Sequence, residues 1–65
     1  MQNVVKLRLR RKSETGEWVV RVYLWQDNAW KYQEGPTYYT DDKRDALGTM
    51  LAMSNQYVAQ GYSVL

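Results

Sequence analysis

Basic side chains alternate with apolar ones at the start of this chain, and their chemistry is that of anion binding. The segment Val4-Val5-Lys6-Leu7-Arg8-Leu9-Arg10 has a period of two, which on a β-strand places basic and apolar side chains on opposite faces. Five of the nine basic residues and none of the seven acidic residues lie in the first twelve positions. Guanidinium and ammonium groups contact phosphates, so this distribution indicates an anionic partner such as nucleic acid.

Residue types that most enzymes need are missing from the chain. It contains no His and no Cys, which removes the usual general base, the thiol nucleophile, the common zinc ligands and any disulfide. No glycine-rich phosphate loop is present. Asp41, Asp42 and Asp45 are interpreted as acids at a helix N-terminus, because Lys43 and Arg44 lie among them and the helix dipole favours acids there. We therefore expect neither an enzyme nor a cofactor or metal site.

The elements that would position these side chains form one small α+β domain spanning residues 1–65. The pattern predicts a three-stranded antiparallel sheet in the order β-β-β-α, with one helix packed on one face. The strands are predicted at residues 3–12, 17–25 and 29–34, with turns at Ser13-Glu14-Thr15-Gly16 and Gln26-Asp27-Asn28. Gly35-Pro36 interrupts the third strand, which continues beyond it as an edge. A helix capped by Thr40 or Asp41 runs to about Gln60, and Gly61 and a short C-terminal strand follow.

The alternation also predicts which side chains face the helix. On the sheet these are Val5, Leu7, Leu9, Trp18, Val20, Val22, Leu24 and Trp30. The facing helix residues are Leu47, Met50, Leu51, Ser54 and Val58, with Ala46, Met53 and Tyr57 widening the apolar stripe.

The opposite face of the sheet is left bare and is the predicted nucleic-acid-binding surface. Its candidate contact residues are Lys6, Arg8, Arg10, Arg21, Tyr23, Trp25 and Lys31. Arg can also read guanine edges, and aromatic rings can stack on unpaired bases. Two alternatives stay open here. The basic side chains can be a solvated face that prevents edge-to-edge aggregation, and Trp25 can lie over the turn or beneath the C-terminal tail.

No apolar run of the sequence approaches the length of a signal-peptide core or a membrane span. Together with the absence of Cys, this predicts a cytoplasmic protein that does not bind membranes. The sequence leaves the oligomeric state open.

Three segments have a family likeness: Arg10-Arg11-Lys12, Thr15-Gly16-Glu17-Trp18-Val19-Val20-Arg21-Val22 and Tyr39-Thr40-Asp41-Asp42-Lys43-Arg44-Asp45-Ala46. They resemble the arm-type DNA-binding domain of phage integrases and the related plant ethylene-response domain, over about residues 8–50. In that family the bare three-stranded face enters the major groove. The resemblance implies duplex DNA as the partner, with Arg8, Arg10, Arg21, Tyr23 and Lys31 as contacts.

A second likeness covers the C-terminal third. The segment Gln56-Tyr57-Val58-Ala59-Gln60-Gly61-Tyr62-Ser63-Val64 resembles the end of the small phage proteins that inhibit bacterial RNA polymerase, in which a helix ends at Gly and a strand rejoins the sheet. The resemblance implies the alternative function, a small interaction or inhibitor protein that binds a host protein. A 65-residue chain that begins with Met1 is consistent with such a complete small protein.

Overall fold

The computed structural model describes residues 3–65, which form one helix and a mixed sheet. The strands are β1 (Val4–Arg11), β2 (Trp18–Gln26), β3 (Ala29–Thr40) and β4 (Ser63–Val64), and the helix is α1 (Lys43–Ala59). The sheet order is β3-β2-β1-β4, antiparallel except for β4, which runs parallel to β1. The predicted α+β architecture is confirmed, including the short C-terminal strand.

The β1–β2 hairpin has the predicted register. Leu7 lies opposite Val22 and Leu9 opposite Val20, while Arg8 lies opposite Arg21. The apolar members of these pairs lie on the side of the sheet that α1 covers, which we call the helix side. The two arginines lie on the other side, which we call the outer face. Gly16, at φ 72° in the connecting turn, has a backbone conformation that favours glycine.

The β3 strand is turned over relative to the prediction. Asp27 and Asn28 form a two-residue turn in which both have positive φ, 52° and 61°, as a type I′ hairpin requires. Trp30 therefore lies opposite Trp25, on the outer face, and Lys31 lies opposite Leu24, on the helix side. The predictions that Trp30 faces the helix and that Lys31 belongs to the bare face are both wrong. The predicted three-residue turn is one residue too long, and a slip of one residue exchanges the faces of a strand.

The β3 strand continues through the Gly35-Pro36 interruption, as predicted. Gln33 lies opposite Val22 and Tyr38 opposite Val20, so residues 34–37 bulge out of the ladder opposite the single residue Arg21. The hydroxyl of Thr37 donates to the Gln33 carbonyl at 3.1 Å, which closes the bulge.

The helix begins one residue later than the latest predicted cap. Asp42 is the N-cap, and its carboxylate accepts a hydrogen bond from the Arg44 amide at 2.9 Å. At the other end Gly61 has φ 91°, and the Tyr62 amide donates to the Tyr57 carbonyl at 2.9 Å. This Schellman-type ending confirms the predicted role of Gly61.

The helix is rotated about its axis relative to the prediction. Ala46 is fully buried, and Met50, Met53 and Tyr57 pack against a core of Val5, Leu7 and Val22. By contrast Leu47, Leu51 and Val58 are 47%, 64% and 57% exposed, so their predicted burial is wrong. Residues 46, 50, 53 and 57 also have helical spacing, and the small Ala46 lets the helix approach the sheet closely.

Candidate functional site

The outer face brings together six of the seven predicted contact residues. On β1 these are Lys6, Arg8 and Arg10, and on β2 they are Arg21, Tyr23 and Trp25, because the pairs Lys6–Tyr23 and Arg8–Arg21 lie directly opposite each other. The seventh residue, Lys31, lies on the helix side. The site is therefore formed chiefly by the β1–β2 hairpin, and β3 contributes rings instead of a cation.

Four aromatic rings cover the end of the outer face next to the β2–β3 turn; this aromatic cluster consists of Tyr23, Trp25, Trp30 and Tyr32. Trp25 and Trp30 meet edge to face, with ring centroids 5.2 Å apart and an interplanar angle of 70°. Tyr23 and Tyr32 are 5.6 Å apart. Such pairs stabilise the hairpin, yet Trp25 is 42% and Tyr32 45% exposed. The cluster is therefore packed within itself and open to solvent.

Lys6 ties β1 to the aromatic cluster. Its Nζ lies 4.5 Å from the Trp30 ring centroid and 5.1 Å from that of Tyr23, within the range of a cation–π interaction. The ammonium group thus places a positive charge beside the rings and links β1 to both β2 and β3. A partner that stacks on the cluster would find a phosphate-binding group next to it.

Arg8 and Arg21 form the centre of the outer face. They are a directly opposed cross-strand pair, an arrangement that is unfavourable for like charges. Arg8 donates from Nη1 to its neighbouring Leu7 carbonyl at 3.0 Å. Arg21 lines a shallow depression with Tyr23 and Tyr32. An anion bound between the two guanidinium groups would relieve their repulsion.

The far end of the outer face is formed around Val19. Arg10 lies opposite Val19, which in turn lies opposite Tyr39, and the Lys12 Nζ lies 5.1 Å from the Tyr39 ring centroid. Val19 is fully buried, although it lies on the outer face opposite Arg10. Val19 itself is therefore not accessible to a partner, whereas the side chains around it are.

Four residues of this face are not among the predicted contact residues: Trp30, Tyr32, Tyr39 and Lys12. The positions of Trp30 and Tyr32 can be predicted from the sequence if Asp27-Asn28 alone forms the turn, because Trp30 then pairs with Trp25 and Tyr32 with Tyr23. Tyr39 depends on the bulge in β3, which the sequence does not place to the residue.

Two tyrosines with raised pKa values lie outside this site. The hydroxyl of Tyr38 donates to the Asp45 carboxylate at 2.5 Å, and this bond raises the pKa of Tyr38 above the ordinary 10.0. Burial, followed by the neighbouring Tyr62, raises the pKa of Tyr57. Both shifts belong to helix packing and supply no general base to the outer face.

Neither a cluster of metal-ligating residues nor a membrane-spanning helix is found within residues 3–65. That part of the chain has no group of three or more acidic, His or Cys residues able to hold a metal ion. Nor does any helix in it have the length and apolar character needed to cross a bilayer.

Comparison with known proteins gives no relatives: no family model, curated protein or solved structure matches this chain. The geometry of the outer face is therefore the basis on which a function can be assigned.

Proposed function

We propose that this protein is a nucleic-acid-binding module, not an enzyme, and that it binds through the outer face of its sheet. Duplex DNA is the first-ranked partner, because the basic pattern and the likeness to integrase arm domains both favour it. The contact residues are Lys6, Arg8, Arg10, Arg21, Tyr23 and Trp25, with Trp30 and Tyr32 added.

The observation that best supports this proposal is the opposed pair Arg8–Arg21, flanked by exposed aromatic rings. Like charges directly opposite each other destabilise a sheet, so the pair is best explained by a ligand that supplies negative charge. Phosphate suits the forked geometry of guanidinium groups. The adjacent rings offer stacking surfaces that a simple anion would not use.

The primary experiment is a titration of the protein with labelled random-sequence duplex and single-stranded DNA at increasing salt. Contacts from about four cations should give log Kd a slope of roughly 3–4 against log salt for duplex DNA. The absence of binding to either form at micromolar protein and low salt would refute the proposal.

Arg21 and Lys31 provide a matched pair of variants. Arg21→Ala and Lys31→Ala each remove one positive charge, but only the first removes it from the outer face. We expect Arg21→Ala to weaken binding several-fold and to reduce the salt slope by about one, while Lys31→Ala binds as the parent protein does. Equal effects of the two variants would mean that net charge, and not this face, determines binding.

Trp25 separates duplex from single-strand binding. Stacking on an exposed ring is worth about 1–3 kcal/mol per base, so Trp25→Ala should weaken single-strand binding at least several-fold. Binding to duplex DNA through phosphates should change little. If single strands bind more tightly than duplex DNA, the rings dominate recognition and the expectation taken from the integrase likeness is wrong.

The second candidate function is a small interaction or inhibitor protein that binds a host protein. It is favoured by the exposed Leu47, Leu51 and Val58 on the helix, because contiguous apolar side chains at a surface mark protein-binding sites. A pull-down from nuclease-treated extract tests it. A stoichiometric protein partner that is retained by the Arg8→Glu, Arg21→Glu variant would support this function over nucleic-acid binding.

A further inference from the structure

One edge of the sheet is left largely open beside β4. The two residues of β4 pair with Val4 and Val5, through hydrogen bonds from the Ser63 amide to the Asn3 carbonyl at 2.8 Å and from the Leu65 amide to the Val5 carbonyl at 2.9 Å. Within residues 3–65, no strand accompanies β1 on this side beyond that point. Residues 7–11 of β1 therefore form an open edge.

The backbone groups along this edge are spaced to receive another strand. Alternate residues of a strand direct their amide and carbonyl groups to the same side. Since the Val5 carbonyl bonds to β4, the groups of Leu7, Leu9 and Arg11 point to the open edge. The Leu7 carbonyl accepts the Arg8 guanidinium and Leu7 as a whole is only 4% exposed, so the backbone groups available to an added strand are those of Leu9 and Arg11. Such an edge is a template for pairing.

An apolar side of the helix lies beside the open edge; this helix stripe consists of Leu47, Leu51 and Val58. On α1, Asp45 and Leu47 project about 100° to either side of the buried Ala46. Asp45 reaches Tyr38 on β3, so Leu47 lies on the side directed away from β3, towards β1. The helix stripe is about half exposed or more throughout. A strand added to β1 would lie next to it and cover it.

The positive charge of β1 indicates which kind of strand can pair with its open edge. The β1 strand contains Arg8, Arg10 and Arg11 and no acid. A second copy pairing edge to edge would bring two such strands together, and like charges across a strand pair are unfavourable. Acidic residues in an added strand would instead lie beside Arg8 and Arg10 on the outer face, while its alternate apolar residues would lie on the helix side.

We propose that the open edge of β1 and the helix stripe together bind an extended acidic peptide segment of another protein, in which acidic and apolar residues alternate. The segment joins the sheet as a strand next to β1 in line with β4. Its backbone bonds to Leu9 and Arg11, its apolar residues contact Leu47 and Leu51, and its acids lie beside the arginines of β1. This site shares Arg8 and Arg10 with the proposed nucleic-acid surface, but it also uses the backbone groups of the open edge and the helix stripe, which that surface does not.

The test is an NMR titration of the isotope-labelled protein with a capped nine-residue peptide in which glutamate alternates with valine. We expect the largest amide shifts at Leu7, Leu9 and Arg11, and at least tenfold slower hydrogen exchange at the Leu9 amide. A version of the peptide that is N-methylated along one edge keeps the charges but cannot pair, and should bind at least tenfold more weakly. Equal binding of the two peptides, or shifts centred on β3, would overturn the proposal.

Leu51 and Ala52 give the control within the protein. Both are exposed neighbours on α1, but the helical rotation places only Leu51 on the helix stripe. Leu51→Glu should weaken peptide binding about tenfold, and Ala52→Glu should weaken it much less. Equal losses of peptide affinity in the two variants would show that net charge alone determines binding, and would overturn the proposal. A dimer formed without peptide, with the same amides shifted, would show that the edge binds a second copy and would also overturn the proposal.

Discussion

Val20 and Leu51 are two apolar residues with the same predicted role and opposite surroundings. Val20 is fully buried, whereas Leu51 is 64% exposed. We expect Val20→Ala to lower the free energy of unfolding by about 2–3 kcal/mol through lost burial and a residual cavity. Leu51→Ala should change it by less than about 0.5 kcal/mol. Urea denaturation of both variants measures this difference, and similar losses would mean that the helix packs in the predicted orientation after all.

Tyr38 links the stability of the helix start to pH. Its hydrogen bond to Asp45 raises its pKa above 10.0, so the protonated phenol is favoured in the folded state. This contribution is fully present below the unfolded pKa near 10 and is lost as pH rises through the higher folded value. We expect Tyr38→Phe to be less stable than the parent near neutral pH and to lose less stability when the solution becomes alkaline.

The measurement for Tyr38 is the urea midpoint of both proteins across the alkaline range. Tyr57 also has a raised pKa and is present in both proteins, so only the difference between them reports on Tyr38. If the urea midpoints of the two proteins change with pH in parallel, the hydrogen bond to Asp45 does not contribute to stability in solution.

Among the elements, the β2–β3 hairpin depends on the turn at Asp27-Asn28. Both residues have positive φ, a conformation that costs a non-glycine residue free energy. Asn-Gly and Asp-Gly are the preferred pairs for such turns, so Asn28→Gly should stabilise the protein by a few tenths to about 1 kcal/mol. The control is Asn55→Gly in α1, where glycine lowers helix stability. The melting temperature should rise for Asn28→Gly and fall for Asn55→Gly. A lower melting temperature for both variants would contradict the turn assignment.

The same turn explains how far the sequence could predict the sheet. In β1 and β2 the contrast between arginine and the aliphatic residues is strong, and the predicted faces are confirmed. In β3 the prediction that Trp30 and Lys31 lie on opposite faces is confirmed, but which face each residue occupies depends on the length of the turn. Because tryptophan is usually buried, the sequence favours Trp30 on the helix side. Nothing in the sequence shows that the outer face has an aromatic cluster that Trp30 can join.

The helix shows a similar limit. Two overlapping stripes, one through Ala46 and Met50 and one through Leu47 and Leu51, both have helical spacing. The higher hydrophobicity of leucine favours burial of Leu47 and Leu51, whereas close packing of the helix on the sheet favours burial of the smaller Ala46. Steric fit against the sheet determines which stripe is buried, and a single sequence gives no direct indication of that fit.

On the scale of the whole molecule, the fold is elongated and its buried core is small. The radius of gyration is 12.3 Å, against about 11 Å for a compact domain of this length. The long hairpin extends the molecule to 39 Å along one axis. We therefore expect modest intrinsic stability and a large response to any ligand that binds the folded state.

A nucleic-acid ligand should accordingly raise the melting temperature. An oligonucleotide at about 100 times its Kd stabilises the folded state by about 2.7 kcal/mol, which for a domain of this size corresponds to a rise of roughly 10–20 °C. Differential scanning calorimetry at low salt measures it. The Lys31→Ala variant should show the same rise and Arg21→Ala a smaller one at equal oligonucleotide concentration. An unchanged melting temperature with the parent protein would contradict binding at the outer face.

The two edges of the sheet differ in a way that limits how copies of this molecule can assemble. The β3 edge has a bulge at residues 34–37 that includes Pro36, and such irregularities stop a further strand from continuing the ladder. The β1 edge is regular and open. A head-to-tail filament requires two receptive edges on every subunit, and within residues 3–65 the β1 edge alone is regular and unpaired. Copies of this molecule therefore cannot extend one continuous sheet from subunit to subunit, whereas copies of a sheet open at both edges could polymerise.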